Sequence, residues 1–128
     1  MRFVVMLMLA VSSGIAVADW TIVGSTESGT DIYVDHATIS KSGNTVKLWM
    51  LEDRKVSETF AGKTFRSAKL QYEYDCKDNQ RRVLQSSLYS GQKAGGVNVQ
   101  TGTKVGPWRP NSAGRISETI WKIACGKK

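Results

Sequence analysis

Ala68, Leu70, Tyr72, Tyr74 and Cys76 alternate with Lys69, Gln71, Glu73 and Asp75. A period of two puts the first set on one face of a strand and the second on the other. The pattern predicts a half-buried antiparallel strand with Cys76 on its core side and Glu73 and Asp75 toward solvent. Residues 45–51 (TVKLWML) read the same way, with Val46, Leu48 and Met50 on one face and Lys47, Trp49 and Leu51 on the other. Shorter runs at 20–23, 31–35 and 81–89, and a weaker one around Val97 and Val99, complete about six strands. Turn residues separate them: the polar stretch 25–30, Ser42-Gly43-Asn44, 77–80, Ser90-Gly91 and Gly95-Gly96.

Near the end the period changes. Pro107 and Pro110 frame Trp108, and Asn111-Ser112 offers a helix N-cap. Ala113, Ile116, Ile120, Ile123 and Ala124 then share a helical stripe with Trp121 and Cys125 at its edge. Gly126 suits a C-cap, and Lys127 and Lys128 suit the negative helix end. The fold class is therefore α+β: an antiparallel sheet of about six strands with one C-terminal helix packed on a face.

The chain begins with a different kind of segment. Residues 1–18 (MRFVVMLMLAVSSGIAVA) hold one early basic residue, an apolar run and a small-x-small end at Ala16-Val17-Ala18. This reads as a cleaved export leader, too short and too interrupted by Ser12, Ser13 and Gly14 for a membrane span. A single domain, 19–128, remains: 110 residues with 17 basic against 11 acidic side chains, a net +6 in place of +7 for the whole chain. In an exported domain the basic excess points to acidic extracellular partners rather than nucleic acid. The expected location is periplasmic, cell-surface or secreted, with no lipid anchor evident.

Export also bears on Cys76 and Cys125, the only cysteines, 49 positions apart. One lies at a strand end on the apolar face and the other on the last turn of the helix. A structural disulfide between them ties helix to sheet; the competing reading is two free thiols, but no CxxC is present.

Taken in order, the residues carry a resemblance. They are Trp20, Tyr33-Val34-Asp35, the VKLW at 46–49, the SAKL at 67–70 running into YEYDC at 72–76, the RRVLQSSLY at 81–89, Trp108, and the IWKIAC at 120–125. This order and spacing resembles the surface-adhesin protein E family of small exported proteobacterial proteins. The resemblance implies a six-stranded antiparallel sheet with a C-terminal helix held on its face by a disulfide. The founding member of that family is a bacterial surface protein that binds host matrix components. That founding member has a lipoprotein-type leader, whereas the leader here has no lipobox Cys.

Little here suggests catalysis. Glu73 and Asp75 on one strand face, and Asp31 and Asp35 near the single His36, are carboxylates without a nucleophile or ligand context. Gly91–Gly96 lacks the order of a phosphate-binding loop. No catalytic residue, metal ligand or cofactor is expected. The expected function is that of an exported non-enzymatic binding protein, an adhesin contacting an extracellular matrix protein or anionic glycan. The alternative for the same fold is a periplasmic structural or stress-related protein without a host partner. For an anionic partner the expected contacts are Lys77, Arg81 and Arg82, beside a fixed strand end. Trp49 and Leu51, on the second face of their strand, require either a cover from the same chain or a homodimer interface.

Overall fold

The computed structural model describes residues 18–111 and 114–127. The expected leader, apart from Ala18, lies outside them, as do Ser112, Ala113 and Lys128. The chain forms β1 (Trp20–Ser25), β2 (Asp31–Ser42), β3 (Thr45–Phe60), β4 (Lys63–Asp75), β5 (Gln80–Tyr89), β6 (Asn98–Gly102), the two-residue β7 (Arg109–Pro110) and helix α1 (Arg115–Cys125). Strands β1 to β6 follow one another in an antiparallel sheet, and β7 pairs with β5 beside β6.

Local chemistry sets the hairpins. Gly43 takes a positive φ of 60° between β2 and β3. After β4, one Asp75 carboxylate oxygen accepts the backbone N–H groups of Lys77 and Asp78 at 3.0 and 3.1 Å, closing the 77–80 turn. The β3–β4 hairpin runs well beyond the alternating segments. Its turn, Ala61-Gly62, has both residues at positive φ, 52° and 76°, and an irregularity between Asp53 and Glu58 breaks the alternation before it.

One sheet face carries the core. Ile32, Val34, Val46, Leu48, Met50 and Tyr74 are buried there beneath Ile120 and Ala124 of α1, with Ile116, Trp121 and Ile123 packed around them. Helix and sheet come close enough at β1 that Gly24 lies against Ile116, where a Cβ would stand 3.3 Å from that side chain. Cys76 and Cys125 form a disulfide with Cα atoms 5.6 Å apart, tying the last residue of α1 to the end of β4. The C-cap is Gly126, in the left-handed conformation, with its N–H on the Lys122 carbonyl.

Two expectations need correction. The helix does not start from an Asn111-Ser112 cap: Gly114 occupies the N-cap, without a side-chain cap, and the Asn111 amide donates to the Ser117 carbonyl at 3.4 Å instead. Asn111 is still held by the sheet, its N–H on the Asn79 carbonyl, so the chain turns into the helix later than the polar residues suggest. Nor does Glu73 face open solvent. It is only 6% exposed and is held by Arg82, whose guanidinium in turn stacks on Trp108.

The second face is covered at one end by the chain itself. A tight turn at Gln92–Ala94 folds over it: the Lys93 N–H reaches the Asp53 carboxylate at 3.1 Å, and the Ala94 N–H reaches Ser67 Oγ at 2.8 Å. Ser67 Oγ in turn donates to the Gly91 carbonyl at 2.6 Å. Leu51, Asp53 and Ser67 are buried as a result, whereas Trp49 stays half-buried.

Candidate anion-binding edge

The three basic residues expected to act together do not share a face. Arg81 and Arg82 are consecutive in β5 and point to opposite sides of the sheet. Arg81 is in register with Tyr74 and Arg82 with Glu73. Lys77 stands exposed in the preceding turn.

Arg82 is committed internally. Its Nε and Nη2 both donate to Glu73 Oε1, at 2.7 and 2.6 Å, and its guanidinium lies 4.4 Å from the Trp108 ring centroid. A nearly buried carboxylate held this way needs its partner, so the pair is structural before it is anything else. Arg81 lies 5.0 Å from the Tyr72 ring centroid and hydrogen-bonds the Tyr74 hydroxyl.

Arg109 enters from β7, directly across from Arg81 in the β5–β7 register. Between them lies a pocket of about 170 Å³, walled by Tyr72, Val83, Gly106 and Pro107 and lined by Arg81, Arg82 and Arg109. The Gly106 N–H on the Val83 carbonyl, at 2.8 Å, pins the wall to β5. No carboxylate lines the pocket, so its chemistry favours an anion. Arg109 thus lines the pocket with Arg81 and Arg82, whereas Lys77 does not. Sequence reasoning missed Arg109 because its place depends on a two-residue strand pairing 28 positions back along the chain; the only local signal was the proline-framed Trp108 beside it.

The tyrosines behind the pocket are strongly shielded. Burial raises the Tyr72 hydroxyl pKa and pushes that of Tyr74 up to about 12, against the opposing pull of Arg81. An unfolded tyrosine titrates near 10. Above that pH the unfolded chain loses a proton that the folded chain keeps, so stability falls as pH rises. The contribution of Tyr74 is fully present below about pH 10 and lost through pH 12, a total of about 2–3 kcal/mol. Urea unfolding across this window should show the loss, and Tyr74→Phe should flatten it; an equally steep loss in the variant would assign it to other groups.

The family model for surface-adhesin protein E matches residues 20–126. No curated protein matches the chain. Among solved structures, crystal form II of Haemophilus influenzae protein E superposes with a TM-score of 0.61 at 12% identity, covering 74% of this chain and 80% of that one. The selenomethionine form of Haemophilus influenzae protein E gives 0.60 at 13% identity, over 86% and 91%. At such identities the likeness speaks for a shared fold: the antiparallel sheet with its C-terminal helix. With the family model spanning nearly the whole described domain, this chain belongs to the surface-adhesin protein E family.

Proposed function

We propose that this chain is an exported, non-enzymatic binding protein that contacts an acidic partner, an extracellular matrix protein or an anionic glycan, at the Arg81–Arg109 edge. The observation that carries this reading is the pocket itself, lined by Arg81, Arg82 and the exposed Arg109 and by no carboxylate, with Arg82 already paired to Glu73. Surface charge supports it. Asp35, Asp53 and Glu73 are buried, while Lys41, Lys47, Lys55, Lys63, Lys77, Lys93 and Lys104 are exposed, so the accessible surface is more basic than the composition. Two of the four carboxylates weighed for catalysis have structural duties: Glu73 pairs with Arg82, and Asp75 closes a turn.

Retention on immobilised heparin tests the edge. The wild-type protein should elute late and in a salt-dependent manner, and Arg109→Glu should elute at clearly lower salt with an unchanged thermal transition. Arg109 is the informative position, being exposed and outside the Arg82–Glu73 pair. Equal retention of the variant would overturn the assignment. Antibody labelling of intact cells tests surface display; purely periplasmic retention would favour the structural or stress-related alternative.

A further inference from the structure

Across the face that α1 leaves uncovered runs a straight row of side chains. Trp20 of β1 stands opposite Asp35 of β2, Asp35 opposite Trp49 of β3, Trp49 opposite Gln71 of β4, and Gln71 opposite Gln85 of β5. Residues directly opposite in an antiparallel sheet share a face, so these five form one band. At its β1–β3 end the band opens into a cleft of about 180 Å³ lined by Trp20, Asp35, Thr38, Trp49 and Lys69 and, at its edge, by Ala18, the last residue of the expected leader.

We infer that this cleft is a saccharide-binding site that takes a neutral pyranose ring. The two indoles are half-buried, with Asp35 between them in the row. An indole offers a flat apolar surface, which matches the axial C–H face of a pyranose. The polar groups match the ring's edge. Asp35 is only 4% exposed; one of its carboxylate oxygens accepts the Ala37 N–H at 3.0 Å, which leaves the second to accept from a sugar hydroxyl. Lys69 Nζ lies 5.3 Å from the Trp49 ring centroid and supplies donors at the rim. Further along the band, Gln85 Nε2 donates to Gln71 Oε1 at 2.9 Å, leaving the Gln71 amide N–H groups and the Gln85 carbonyl for a neighbouring sugar.

The geometry is also preorganised. Thr38 Oγ1 donates to the Asp35 carbonyl at 2.7 Å and accepts the Trp49 N–H at 3.0 Å, so the irregular part of β2 is pinned against β3 beneath the cleft. A ligand entering it would not have to order the backbone first. With Asp35 and Lys69 together the cleft carries one charge of each sign, which suits a neutral sugar and separates this site from the arginine edge, which no carboxylate lines. A second copy of the chain is a poorer occupant, because Asp35, Gln71 and Gln85 interrupt what would have to be the apolar centre of a homodimer interface.

This inference goes beyond the acidic-partner reading and stands if that reading fails. Its test is titration of intrinsic tryptophan fluorescence with chitotetraose and maltotetraose, with a hyaluronan tetrasaccharide as the acidic comparator. A saturable change with a neutral probe is expected. Trp20→Ala, on the edge strand, should weaken it on the order of thirty-fold. Gln71→Ala should weaken it several-fold with an unchanged thermal transition, and Arg109→Glu should leave it unaltered. Lack of a saturable response to either neutral probe overturns the proposal, as does a response that survives both Trp20→Ala and Gln71→Ala. Preferential hyaluronan binding lost in Arg109→Glu would move saccharide binding to the arginine edge. A tryptophan change that follows protein concentration instead of sugar would give the face to a second copy.

Discussion

Replacing Cys76 and Cys125 together by serine is expected to lower the unfolding free energy by about 4 kcal/mol. The bridge closes a loop spanning 49 positions, and in the chain-entropy account a loop of that length restricts the unfolded ensemble by about this amount. The closed loop contains β5, β6, β7 and the whole of α1, so the bond limits how far nearly half of the domain can drift from the rest of the sheet. It also acts in the folded state by holding the C-terminal turn of the helix against the end of β4. Urea unfolding of the oxidised protein and the double variant measures the difference, and a loss below about 1 kcal/mol would show that the unfolded chain is already constrained by other means. Reduction of the wild-type protein should reproduce the effect, which separates loss of the bond from the cost of burying two hydroxyls.

The second large effect is expected at Ile120. It is 1% exposed and sits in the cluster formed by Val34, Leu48, Met50 and Tyr74. Ile120→Ala removes buried methyl and methylene groups and leaves a hole that the sheet, a rigid floor, fills poorly. About 3 kcal/mol of stability should be lost, within the usual 2–5 kcal/mol span for such truncations. Ile120 and the disulfide hold the same helix, so their effects should not add. Once the helix has come away in the disulfide-free protein, the truncation has less left to remove, and the combined loss should fall short of the sum. Full additivity in urea unfolding would mean that the helix stays docked without its tether.

Both effects were foreshadowed by local pattern. The alternation at 68–76 needed no partner strand to show which side of β4 carries the hydrophobic core, because successive side chains of any strand point oppositely. The isoleucines at 116, 120 and 123 likewise declared one face of α1 through helical periodicity alone. The two cysteines fell on the apolar sides of these elements, which is why their pairing could be anticipated. The hairpin beyond Asp53 was not legible: an irregularity disturbs its alternation, and its turn places Ala61, a residue with a Cβ, in the left-handed conformation.

The candidate sites show the same division more sharply. Arg81 and Arg82 were visible as a basic pair, but alternation places them on opposite faces, and only the fold shows that Glu73 and Trp108 occupy Arg82. Arg109 could not be assigned to that edge without knowing that β7 pairs with β5. Trp20, Asp35 and Trp49 are separated by 15 and 14 positions, and nothing in their spacing joins them.

Taken alone, the sequence determined the class of fold, the buried face of the main strands, the amphipathic helix and the cysteine pair that fastens it. Each of these follows from side-chain periodicity or from chemistry carried by single residues. Strand register, the cover over Leu51, the arginine pocket and the tryptophan band were decided only by tertiary structure. They arise where backbone hydrogen bonds across the sheet bring distant residues to the same height, and a single strand's pattern does not specify which residue its neighbour will set opposite.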